Sequence, residues 1–188
     1  MKNENIYLID DIAGYTPLIS SLVSMMNYIR KGTISSISGL TTEQLDNLFD
    51  KKSNSIGMLL KHMAMVEKAY QLITFSGLNE KEDEQFSALH PGLDLDERRF
   101  EIKNNPAQYY TDLLNETRAH TLNEFKNRDD LWLKQTGLIW GSRKANNWFK
   151  WFHVVEEEIY HSGQINLMKK RLSSLTNNTS KIPGNNDK

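Results

Sequence analysis

Apolar residues recur at helical spacing over most of the chain. Thr16 is a cap followed by Pro17, a residue that needs no amide donor, and Leu18, Leu22, Met25, Met26 and Ile29 then fall on one stripe, predicting a helix that Gly32 ends. Thr41 and Gln44 form a capping box for a short helix through Leu45 and Leu48, after which Ser53 and Ser55 open a longer helix to about Phe75, stopped by Gly77. Residues 77–104 are charged and contain His90-Pro91-Gly92, so they read as a long connection with a turn of helix between Asp94 and Phe100. Asn105-Pro106 starts a third long helix, with Tyr110, Leu113, Leu114, Thr117 and Phe125 on or near one face. Between Asp129 and Asn147 the pattern is irregular, with Leu131-Trp132-Leu133 and Leu138-Ile139-Trp140 as apolar clusters of unassigned state, and a last helix runs from about Asn147 to Leu172.

Four long helices joined with one extended crossover predict an all-α, up-down four-helix bundle, and no convincing set of paired strands argues for a sheet. A chain of 188 residues with 38% hydrophobic content suits one domain, placed at 1–172. The segment 173–188 is Ser, Thr, Asn and Gly with little to bury and is expected to be disordered.

Charge narrows the partners. Lys and Arg total 23 against 24 for Asp and Glu, so no overall basic field draws the chain to nucleic acid or anionic lipid. No apolar run is long enough to span a bilayer and no signal-peptide core is visible, so a cytoplasmic protein away from membranes is expected. The absence of cysteine excludes disulfides, thiolate metal sites and cysteine nucleophiles, leaving carboxylates and five histidines as strong ligands.

Two of those histidines fall on inward stripes. At about 100° per residue, Ser55, Leu59, Val66, Ala69 and Ile73 lie within about 60° of His62, whereas Lys61, Glu67 and Lys68 fall well off that stripe. On the last helix Val154, Met168 and Leu172 lie within about 20° of His161, with Glu157 about 40° away and one turn back. That spacing lets two side chains of one helix converge on a single ion. His153 is one turn further back, and about 12 Å of helix rise between His153 and His161 prevents both from binding one ion directly. The pair is either His153 with Glu157 or Glu157 with His161; the better centring of His161 favours the second and places His153 behind the ligands or at the bundle rim. Geometry alone leaves an alternative of equal weight, a buried hydrogen bond from His62 to Glu157 with His161 as an ordinary core histidine.

Two stretches resemble the DinB-like superfamily, which includes metal-dependent transferases acting with bacillithiol or mycothiol. One is Ser55-Ile56-Gly57 followed by an apolar run and His62-Met63-Ala64-Met65-Val66-Glu67; the other is His153-Val154-Val155-Glu156-Glu157-Glu158-Ile159-Tyr160-His161-Ser162-Gly163-Gln164-Ile165. The resemblance spans roughly Thr16 to Leu172 and implies three protein ligands to one divalent metal, His62, Glu157 and His161, with glutamate where many members have histidine. Two His and one carboxylate suit Zn(II), Ni(II) or Fe(II), with Zn(II) or Ni(II) expected first. The implied activity is transfer of a low-molecular-weight thiol or hydrolysis of a small-molecule substrate; the contrasting expectation is a non-catalytic bundle acting through a ligand or partner.

Other residues change the picture less. Trp148, Phe149, Trp151 and Phe152 are too many to face one core, so some are expected at a homodimer contact or at the mouth of the site, or else packed beneath residues 129–147. The methionines read as core filler. His90 and His120 read as surface groups, and Lys169-Lys170-Arg171 is a favourable charge placement near a helix C-terminus.

Overall fold

The computed structural model describes residues 6–78 and 84–179, with side chains described as far as Ser174. Four long helices dominate: α1 (Pro17–Ile37), α3 (Ile56–Phe75), α6 (Ala107–Phe125) and α8 (Asn147–Thr179). Short helices lie between them, α2 (Thr42–Asp46), α4 (Glu84–Ser87), α5 (His90–Leu93) and α7 (Asp130–Lys134), with a 3₁₀ turn at Glu97–Glu101. Strands β1 (Thr136–Ile139) and β2 (Arg143–Asn146) pair antiparallel, Thr136 opposite Asn146 and Ile139 opposite Arg143. Among the described residues no helix is long and apolar enough to cross a membrane.

Of the expected caps, those at Thr41 and Ser55 form, whereas the Thr16 side chain makes no capping bond and donates to Asp130 instead. Thr41 and Gln44 make their reciprocal capping box, and the Ser55 hydroxyl accepts from the Met58 amide at the start of α3. Asp129 caps α7 by accepting from the Trp132 amide. These bonds satisfy amides that have no partner inside a helix.

Three expectations are corrected. Gly32 does not end α1, because Thr33, Ser36 and Ile37 beyond it are buried, and tertiary packing outweighs the roughly 1 kcal/mol that a mid-helix glycine costs. The irregular stretch contains the β1–β2 hairpin, turned by Trp140 (φ 48°) and Gly141 (φ 80°). The last helix passes Leu172 and reaches Thr179, so the first part of the segment expected to be disordered is helical; residues 180–188 lie outside the described residues.

Helix α3 packs against both α8 and α6, and α1 packs against α8. The apolar core falls into two clusters. One gathers Leu59, Leu60, Met63, Leu114, Ile165 and Met168; the other gathers Leu22, Met26, Phe125, Trp132, Trp151 and Val154. In the second, Trp151 stacks on Phe75 at 5.1 Å between ring centres and meets Phe125 edge-on at 4.8 Å.

Between those clusters lies a charged layer to which each long helix contributes one residue: Arg30, Glu67, Arg118 and Glu158, all buried. The Glu67 carboxylate accepts from Arg118 Nε at 2.8 Å, Thr121 Oγ1 at 2.7 Å and Arg30 Nη2 at 3.0 Å. Glu158 accepts from Arg30 Nε at 2.7 Å and Arg118 Nη2 at 2.9 Å. The guanidinium groups also donate to backbone, Arg118 to Met26 O and Arg30 to Leu114 O. Two positive and two negative charges cancel, which is the condition for burying them without a large desolvation penalty. Glu67 was expected off the inward stripe; it is fully buried because α3 is enclosed on more than one face.

Candidate metal centre

The charged layer fixes α3 against α8 one turn from the site. His62 precedes Glu67 on α3 by five residues, and Glu157 immediately precedes Glu158 on α8. Successive residues diverge by about 100° on a helix, so Glu158 turns into the charged layer while Glu157 turns toward His62.

The structure brings His62, Glu157 and His161 together, with one ligand-type atom from each within 4.8 Å of the others. Glu157 Oε2 lies 3.0 Å from His161 Nε2 and 3.4 Å from His62 Nε2. The two imidazoles meet edge to face, 4.9 Å between centres. Both rings are largely buried, at 12% and 9% side-chain exposure, and Glu157 is more open at 24%. When the rings also carry a hydrogen on Nε2, bonds from His161, and then from His62, hold the Glu157 carboxyl well below the usual carboxylate range against the opposing effect of burial.

The other ring nitrogens decide what the cluster can do. His62 Nδ1 lies 3.0 Å from Gly92 O, and a carbonyl can only accept, so Nδ1 carries the hydrogen. His161 Nδ1 lies 3.0 Å from Gln164 Oε1 and donates in the same way. In the neutral rings both Nε2 lone pairs therefore point at a carboxylate oxygen. Three electron-rich atoms converging on one point need a cation among them, either an added proton on a ring or a metal ion. Separations of 3.0 and 3.4 Å are those of ligand atoms each about 2.1 Å from one ion, so the donor set fits a divalent metal.

Gly92 is a structural requirement of this arrangement. A Cβ there would sit 2.7 Å from Met65 Cγ and 2.8 Å from Lys61 Cγ, so only glycine lets α5 approach α3 closely enough for its carbonyl to reach His62.

His153 stands beside the cluster, its Nε2 3.5 Å from Glu157 Oε1 and its Nδ1 2.9 Å from Glu156. Its ring is enclosed by Tyr70, Trp140 and Phe149 at 5.9, 5.2 and 6.3 Å between centres. Of the aromatics at the start of α8, Trp151 is core, Phe149 flanks His153, and Trp148 and Phe152 are exposed. His62, Glu157 and His153 all border a cavity of about 400 Å³, which His90 and Trp140 also line. His90 is thus half-exposed on the cavity and paired with Asp94 at 2.7 Å rather than a free surface group. Sequence reasoning missed Gly92 and the whole charged layer; the second had a signal, since Arg30, Glu67, Arg118 and Glu158 each sit four residues after a buried apolar residue, Met26, Met63, Leu114 and Val154.

A family model described as mycothiol-S-transferase matches residues 21–173. The chain belongs to the mycothiol-S-transferase family. The matched stretch takes in every residue of the cluster and of the charged layer. Among solved structures, a DinB-like protein from Bacillus cereus ATCC 10987 superposes with a TM-score of 0.64, covering 82% of this chain and 93% of that one at 14% identity. At that identity the likeness is one of fold, and it agrees with the DinB-like helical architecture read from the two motifs. No curated protein matches the chain.

Proposed function

We propose that the protein is a divalent-metal-dependent thiol S-transferase that joins a low-molecular-weight thiol, of the mycothiol or bacillithiol kind, to a small electrophile. The observation that carries this reading is the opening of the His62–Glu157–His161 cluster onto a cavity through His62 and Glu157. A structural metal site has its positions filled by protein, whereas a catalytic one keeps a position that solvent and substrate can reach. Family membership supports the thiol as the donor.

His62, Glu157 and His161 would hold the ion, Zn(II) or Ni(II) in the first instance. A divalent cation there supplies Lewis acidity that lowers the pKa of a thiol toward neutrality. The chain's own contribution is placement. Gly92 O and Gln164 Oε1 fix the tautomers so that both Nε2 atoms face inward, and the burial of both rings keeps competing water to the cavity side.

The test is a turnover assay on protein reconstituted with Zn(II) or Ni(II), with mycothiol, bacillithiol or glutathione offered against a chromogenic electrophile. The expected result is thiol-dependent adduct formation that disappears in Glu157→Gln and on chelation. Product release that does not depend on thiol, or adduct formation equal in Glu157→Gln, would contradict the reading.

A further inference from the structure

The cavity beside the cluster has a composition of its own. Its inner wall is apolar and tightly packed: Val66, Ala69, Tyr70 and Phe86 line it and are 6%, 5%, 4% and 1% exposed. Its rim carries the His90–Asp94 pair and, from the hairpin turn, the half-exposed indole of Trp140. No lysine or arginine is among its described lining residues, and the carboxylates present are Asp94 and Glu157, so away from the histidines and the metal they would hold, the wall offers an anionic group no fixed positive charge. At about 400 Å³ it falls in the range of small-molecule sites.

Trp140 is held on that rim with care. Its backbone is in the left-handed region, φ 48°, a conformation unfavourable for any residue but glycine. Its ring is fixed by His153 at 5.2 Å, Phe149 at 6.1 Å and the Arg143 guanidinium at 5.7 Å. A strained residue kept in place by three neighbours, lining a cavity next to the His62–Glu157–His161 cluster, is the arrangement expected of a wall that selects flat ligands.

We infer that this cavity binds the electrophilic acceptor, that the acceptor is an uncharged molecule with an aromatic or other flat apolar body, and that Trp140 is the residue that sets which acceptors fit. For an aryl halide the thiol sulfur forms the bond to the ring carbon, the carbon–halogen bond breaks with its electron pair leaving on the halide, and the thiol proton passes to solvent. The word acceptor rests on the thiol-transfer reading; the ligand class rests on the cavity alone.

Binding can therefore be measured without thiol or turnover. The probe is the neutral fluorophore N-phenyl-1-naphthylamine, titrated against the full chain, against Trp140→Ala and against Ala69→Trp, which fills the cavity. The expected result is saturable enhancement at one site per chain, weakened roughly two- to tenfold in Trp140→Ala and abolished in Ala69→Trp. Trp140 is half-exposed, so its variant keeps the fold even where the larger Ala69 substitution does not. In turnover, Trp140→Ala should raise KM for 1-chloro-2,4-dinitrobenzene while leaving KM for iodoacetamide, which has no aromatic body, within about twofold. Non-saturable fluorescence, or binding equal in wild type and Trp140→Ala, overturns the inference. Saturable, Trp140-dependent binding in a protein that shows no thiol transfer with any electrophile would refute the proposed activity and uphold the ligand class.

Discussion

Replacing Glu67 by Gln tests the claim that the charged layer holds the four helices, and with them the metal centre, in register. Glu67 is 0% exposed, and its two oxygens accept from Arg30, Arg118 and Thr121. Glutamine keeps the shape but removes one negative charge and turns an amide N–H₂ toward guanidinium N–H groups. The layer, with two arginines against two glutamates, then carries one uncompensated positive charge. Breaking a buried ion pair by removing one partner costs about 3–5 kcal/mol, out of about 5–15 kcal/mol for a whole domain. With a urea m value of about 2 kcal/mol/M, the unfolding midpoint should fall by roughly 1.5–2.5 M. Burial pushes the Glu67 carboxyl up, but Arg118 and Arg30 outweigh it and hold the folded-state pKa below the ordinary 4.5. A lowered carboxylate pKa contributes stability that is fully present above the unfolded value and is lost as pH falls through the folded one. Wild type should therefore lose stability more steeply than Glu67→Gln below about pH 4.5. A midpoint shift under about 0.3 M, the size expected of a surface charge, would refute the argument.

Other expectations follow from the same contacts. Gly92→Ala must displace Met65 or Lys61, so it should cost about 1–3 kcal/mol by urea titration, and loss of the Gly92–His62 hydrogen bond should weaken Zn(II) binding in competition with a chromogenic chelator. Gln164→Leu removes the acceptor from His161 Nδ1 and should lower metal affinity about 10- to 100-fold with little change in the urea midpoint; unchanged affinity would show that the tautomer is not set there. Gly57→Ala places a Cβ 2.5 Å from Tyr110 Oη, so it should destabilise by about 1–3 kcal/mol while leaving metal stoichiometry intact.

One turn on α8 sets Glu157 beside His161 whatever the tertiary packing, but that alone left a metal site and a hydrogen-bonded core pair equally open, and the set with His62 came from the resemblance of the two motifs. The long helices were legible because apolar residues recur in them at helical spacing. The hairpin was not, since each strand has four residues and its turn uses a tryptophan where glycine or asparagine is the usual signal. Nor was the burial of Glu67: a stripe calculation assumes one inward face, and α3 is packed by α8 and α6 on different sides. The partner of His62 lies thirty residues away on a short helix that the sequence reading treated as connection, and no local periodicity reports such a contact.

The central claim is that His62, Glu157 and His161 hold a divalent metal. It is tested most directly by elemental analysis of the purified, untagged protein, prepared without added metal or chelator, beside His62→Ala and Glu157→Gln variants whose folding is checked by circular dichroism. The account predicts close to one equivalent of metal per chain in the wild type and background levels in both folded variants. A wild type that is metal-free and takes up neither Zn(II) nor Ni(II), or folded variants that retain the wild-type content, would contradict it.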